Sequence, residues 1–281
     1  MAKKPETAAE RRARLQAEAA ARGEARGEDF RKARAAERSY GAALRTLANQ
    51  IRVIIEAHAP AKGDPWDHAQ LVRLQHAMAA YAQAITPWAQ GAAQRMLTEV
   101  NRRDVRAWER YTVGMGADLR RALASTPLGP ALRTAIALQV HYITSLPVEA
   151  AQRVMEKAQE AQIASARYPE RTSEIEEALA DAHPDASAAW LRNRATLIAR
   201  TETARAASLL TQARAQHIGS ETYTWRTAGD WNVRASHKRL DNTVHRWDDP
   251  PVSDKDEKSG KEYRAHPGQI WNCRCVAIPH V

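Results

Sequence analysis

Two cysteines, one phenylalanine and no long apolar run set the first limits on this chain of 281 residues. Two thiols cannot staple a secreted disulfide scaffold. They stand one residue apart, at Cys273 and Cys275, where separation and side-chain direction suit a mutual disulfide poorly. No stretch approaches the ~18 apolar residues of a membrane-spanning helix. The opening MAKKPETAAERRAR has basic residues but no apolar segment behind them, so no signal peptide is expected. The expectation is a protein of the cytoplasm, or of a particle assembled there, without membrane contact. There is no internal repeat. The short glycine turn of a helix-turn-helix is missing, and the basic residues are spread rather than striped, so a plain DNA-binding regulator finds no support.

What is present favours helix. Charged residues make up 27% and hydrophobic ones 44%, enough for most of the chain to fold around a core. The formal net charge is +9. That excess permits contact with a polyanion and equally suits a soluble basic surface. Residues 1–40 are Ala, Arg and Glu with almost nothing large and apolar, so a helix there has no stripe to bury. They are read as a basic arm, helical or disordered, ordered only against a partner. Over residues 1–45 there are 12 Lys and Arg against 7 Asp and Glu. Candidate DNA contacts are Arg11, Arg12, Arg14, Arg31, Lys32 and Arg34, with a solvated helix face as the alternative.

From 41 to 184 the pattern is that of a helical domain. Leu44, Leu47, Ile51, Ile54 and Ile55 recur at three- and four-residue steps. Asp64 before Pro65 reads as a helix cap followed by a first-turn proline. Pro87 is expected to kink or end a helix. STPLGP, 125–130, is a turn, and the next helix should end near Pro147. The segment from 183 to 217 reads as the longest helix, capped by Asp185 or Ser187 and stopped by Gly219. Within it IARTETARA holds a polar triplet, Arg200, Glu202 and Thr203, suited to docking a module after the helix.

Composition changes after Gly219. TYTWRTA alternates, with Tyr223 and Trp225 on one side, and predicts a strand. NVRASHKRLDN predicts a short helix, DDPPVSDKDEKSGKE a polar loop or hairpin tip, and QIWNCRCVAI a second strand. The fold class is therefore mainly α: a long-helix N-terminal body with a small α+β module at 185–281. In an extended strand Cys273 and Cys275 face one way and Arg274 the other. The paired thiols fit two readings. One is a zinc site completed by His237 and His266, although C-x-C is a tight bite for a metal. The other is a buried structural pair with no cofactor. Asp230, Arg234, His237 and Arg274 likewise fit a ligand site or a polar network fixing loop, helix and last strand. Asp230 could cap the short helix or pair with Arg234. A metal-dependent nuclease, built on His237, Asn242 and His245, is the enzymatic alternative, though the usual four-cysteine frame is missing.

The ordered set IARTETARA, WRTAGDWNVRASHKRLDN, DDPP and HPGQIWNCRC resembles the phage Mu F-like head morphogenesis family. The motif falls on Trp225, Asp230, Arg234, His237, Pro267, Gly268, Cys273, Arg274 and Cys275. Asn242 stands where the family often has glycine; asparagine tolerates the left-handed backbone. The resemblance covers about 185–281. It implies a minor capsid protein of a tailed phage or prophage. Such proteins sit at the portal region inside the head and act in assembly, DNA packaging or early ejection. The implied partners are the portal protein, the major capsid or scaffold proteins, and phage DNA. It implies no catalytic residues.

Overall fold

The computed structural model describes residues 34–167 and 172–281. Among the described residues the helices are α1 Arg34–His58, α2 His68–Ala84, α3 Thr86–Tyr111, α4 Ala117–Ala124, α5 Gly129–Arg167, α6 Thr172–Ala182, α7 Pro184–His217 and α8 Ala235–Leu240. The strands are β1 Thr222–Arg226, β2 Val244–Arg246, β3 Val252–Lys255, β4 Glu262–Arg264 and β5 Val276–Pro279. The protein is mainly α with a small α+β portion. No helix is long and apolar enough to cross a membrane among the described residues.

The described residues gather into two compact units. One holds Ala35–Thr98 and Pro130–Thr203, the other Glu99–Gly129 and Ala204–Val281. This grouping does not follow the linear division at 184/185, because α3 and α7 each contribute residues to both units.

Helix α1 begins at Arg34 and enters the first unit at Ala35, so the proposed arm gives up its last residues to this helix. The reason is burial: Ala36 and Tyr40 extend the apolar face that continues through Leu44, Leu47, Ile51 and Ile55. The Tyr40 hydroxyl donates to Gln139 Oε1 at 2.9 Å. Arg11, Arg12, Arg14, Arg31 and Lys32 lie outside the described residues, and Arg34 heads α1, exposed.

Asp67, not Asp64, caps α2. Its carboxylate accepts from the Gln70 amide at 2.6 Å, and Gln70 Oε1 accepts from the Asp67 amide at 2.9 Å, a reciprocal capping box. Asp64 instead closes a turn, donating its amide to the Ala61 carbonyl at 2.9 Å. Pro87 sits in the first turn of α3, where a missing N–H costs nothing.

Pro147 does not end its helix. The 39 residues of α5 run through it, making α5 longer than the 34-residue α7. A proline removes one hydrogen bond and crowds the carbonyl four residues back. Here Ile143, Leu146, Pro147, Ala150 and Ala151 are all buried on one face, so packing on both sides of the proline keeps the halves in line. Arg200 pairs with Glu37 at 3.4 Å, and Glu202 accepts from Gln139 Nε2 at 2.8 Å. Arg200 and Glu202 of the expected docking triplet thus make contacts inside the helical unit.

In the second unit α7 stops at Gly219, whose φ of 80° needs glycine. The chain then enters a three-stranded antiparallel sheet ordered β2-β1-β5, with Tyr223 opposite His245 and Pro279, and Trp225 opposite Ala277. Tyr223 and Trp225 point to the same side and are buried, as their alternation predicts. They pack with Trp108, Tyr111, Leu123, Trp247, Cys273, Cys275 and Ile278 in one core. The polar loop is a hairpin, β3 against β4. Under this core a buried ion pair joins α3 to α7. Arg214 donates to Asp104 Oδ2 and, at 2.7 Å, to Asn101 Oδ1, while the Thr211 hydroxyl donates to Asp104 Oδ1 at 2.6 Å. Burial pushes the Asp104 carboxyl up to about 6, against the opposing pull of Arg214.

Candidate functional site

The thiols do not lie in a strand. Residues 266–275 form two successive turns, and β5 begins only at Val276. The first turn is closed by the Gln269 amide donating to the His266 carbonyl at 3.2 Å. Pro267 and Gly268 are its middle residues, and the Gly268 φ of 85° is what a type II turn requires there. A Cβ at Gly268 would stand 3.0 Å from the Ala204 carbonyl oxygen of α7, so this turn touches helix backbone directly. The second turn is closed by the Cys273 amide donating to the Ile270 carbonyl at 3.2 Å, with Asn272 at φ 58°. Asparagine is among the few side chains that accept this conformation.

Both thiols still face one object, the imidazole of His237 in α8. Its Nδ1 lies 3.6 Å from Cys273 Sγ and 3.5 Å from Cys275 Sγ. All three side chains are buried. The amides of Gly268 and Cys275 each donate to Cys273 Sγ at 3.4 Å. The Trp225 indole meets the imidazole edge-on, 5.4 Å between centroids, and His237 Nε2 is buried with no hydrogen-bond partner. The Cys275 thiol, then the imidazole, hold Cys273 well below the usual thiol range, at about 4. The negative sulfur so favoured pushes Cys275 up.

Charged residues brace this cluster from outside. Arg274 grips Asp230 with two hydrogen bonds, 2.5 and 2.8 Å. The Arg274 guanidinium holds the Asp230 carboxyl below the ordinary carboxylate range. Asp230 thus pairs with Arg274, where capping of α8 or pairing with Arg234 was expected. The partner of Arg234 is Asp254 of β3, at 3.0 Å, and Arg234 also donates to the Trp271 carbonyl at 2.6 Å. One guanidinium therefore links the start of α8, the hairpin and the second turn. Arg205 of α7 donates to the Gln269 carbonyl at 2.7 Å and stacks on Trp271, 4.4 Å from the ring centroid.

His266 stands elsewhere. Its Nδ1 is 2.9 Å from the Tyr223 hydroxyl, and it packs against Trp247 at 5.5 Å. Burial lowers its pKa. Among the described residues the cluster with metal-ligand spacing is His237, Cys273 and Cys275, without His266. Of the nuclease trio, His237 and His245 both contact the Trp225 ring, at 5.4 and 6.3 Å. Asn242 turns in the left-handed conformation and accepts from Arg226. Asp254 and the Asp104–Arg214 pair carry no local sequence signal. Asn272, two residues past an isoleucine and just before a cysteine, was the one hint that the chain turns there.

A protein of Haemophilus influenzae, described as uncharacterized, is 38% identical over 86 residues. The matched stretch is 31% of this chain and spans only 17% of that relative. No solved structure matches. The family model described as Phage Mu protein F like protein matches residues 170–278, in agreement with the likeness of the C-terminal module to that family.

Proposed function

We propose that this chain is a head morphogenesis protein of a tailed phage or prophage, a minor capsid component inside the head at the portal vertex. It acts in assembly, DNA packaging or early ejection, first in the host cytoplasm and then in the virion. Its partners are the portal protein and the major capsid or scaffold proteins. Phage DNA meets the basic arm through Arg11, Arg12, Arg14, Arg31, Lys32 and Arg34.

The observation that carries this reading is the family match at 170–278, joined to what the motif residues do. Trp225 is core, Gly268 allows a close approach to α7, and Arg274 and Arg234 tie loops to carboxylates. They hold a module together. A module braced in this way suits a building part.

The test is deletion of the coding sequence from a phage or inducible prophage that carries it, with complementation. Mass spectrometry of purified particles should find the chain in the virion. The deletion should leave particles with reduced DNA content or infectivity, restored by the intact gene. Normal titre from particles that never contain the chain would overturn the proposal.

A further inference from the structure

We propose that His237 Nδ1, Cys273 Sγ and Cys275 Sγ hold a zinc ion whose fourth position is open to the small cavity beside them and taken by water. This stands apart from the head-assembly reading.

The geometry is that of a coordination shell. Zinc binds thiolate at ~2.3 Å and imidazole at ~2.0–2.1 Å in a tetrahedron, which sets each sulfur about 3.6 Å from the nitrogen. The observed separations are 3.6 and 3.5 Å, and the three ligand atoms all lie within 4.8 Å of one another. Thiolate and imidazole together select zinc among the abundant divalent ions.

The sulfur side of the shell is held from outside, as metal ligands usually are, whereas His237 Nε2 is oriented by packing alone. Cys273 Sγ already receives two amide N–H groups, from Gly268 and Cys275, donors that suit a sulfur carrying negative charge. The Asp230–Arg274 and Arg234–Asp254 pairs fix the turn and the helix start that present the ligands.

The fourth position is set by the space next to the cluster. A cavity of about 50 Å³ is lined by Asn232, Arg234, Asn272 and the three ligands themselves. A water needs roughly 10–15 Å³ measured this way, so the cavity admits one on the open side. The obvious fourth protein ligand, His266, is occupied with Tyr223 and is outside the cluster. Three protein ligands plus water is the arrangement of zinc sites that keep an exchangeable position.

The experiment loads the full-length protein, purified without a histidine tag, with Co²⁺, removes free ion, and reads metal content and absorption. The expected result is about one equivalent per chain, with a thiolate-to-cobalt charge-transfer band in the near ultraviolet, tetrahedral d–d bands, and displacement by Zn²⁺. Cys273→Ser and Cys275→Ser should each weaken retention by about tenfold or more, and His266→Ala should leave it unchanged. Added imidazole should shift the d–d bands, since it replaces the water. A wild-type protein that retains no metal, or lacks the charge-transfer band, overturns the site. That reading needs no variant and so stands even if the serine variants do not fold. Bands indifferent to imidazole, or loss of metal in His266→Ala, would overturn the open fourth position.

Discussion

The backbone of Gly268 approaches α7 so closely that an added Cβ would lie 3.0 Å from the carbonyl oxygen of Ala204. This position also has φ 85°, so alanine there meets two penalties, conformation and clash. Gly268→Ala should lower stability by about 2–3 kcal/mol. Gly260→Ala is the control: it has φ 69° but nothing within 4 Å of the new Cβ, and should cost only about 1 kcal/mol. Urea midpoints of the two variants measure the difference, and equal losses would remove the close approach as a constraint.

The buried pair of Asp104 and Arg214 gives a second prediction. Both side chains are almost fully buried, at 4% and 5% exposed. Asp104→Asn leaves the guanidinium charge without its carboxylate and should cost about 3–5 kcal/mol. Replacing both by leucine should recover most of that loss, because an apolar pair carries no desolvation penalty. Thermal unfolding of the two variants checks it; a double variant no better than Asp104→Asn would contradict it.

Arg234 supplies a third. It donates to Asp254 and to the Trp271 carbonyl, one acceptor on β3 and one in the second turn. Arg234→Ala should cost about 1–3 kcal/mol. Arg234→Lys should recover little, because one ammonium cannot copy a planar fork serving two directions. Hydrogen exchange should locate the loosening at the 270–273 turn and at β3.

The arm gives the fourth. Removing residues 1–33 deletes Arg11, Arg12, Arg14, Arg31 and Lys32. Retention on a DNA column should weaken at low salt, with a shallower salt dependence, by the loss of phosphate contacts blind to sequence. Equal retention by the truncated protein would take DNA away from the arm.

Much of this architecture is legible in local chemistry. Alternation found β1 because Tyr223 and Trp225 must share the dry side of a sheet. Gly219 marked the end of α7 because only a left-handed residue closes that helix. What local reading misses is decided by partners far along the chain. Pro147 looks like a stop, yet the face buried on both sides of it outweighs one lost hydrogen bond. Asp64 and Asp67 look alike as caps; Gln70, three residues after Asp67, completes the reciprocal pair. At the site, the preference of zinc for thiolate and imidazole joined His237 with the two thiols, and added His266, which lies outside the cluster. The strand drawn through QIWNCRC put both sulfurs on one side for the wrong reason. Two turns, not a pleat, aim them at α8. The true partners of Arg234 and Arg274 are 20 and 44 residues away in sequence, a distance over which charge pattern says nothing.

The Tyr111 hydroxyl donates to the carbonyl of Pro279 at 2.5 Å, across 168 positions of sequence. Strand β5 is also what covers one edge of β1. A nascent chain therefore carries a half-built sheet with a bare edge until its closing strand clears the ribosome. Contacts of such long range form slowly, and until they do the Tyr223 and Trp225 rings lack their lid. During that interval the uncovered edge of β1 is open to pairing with another chain.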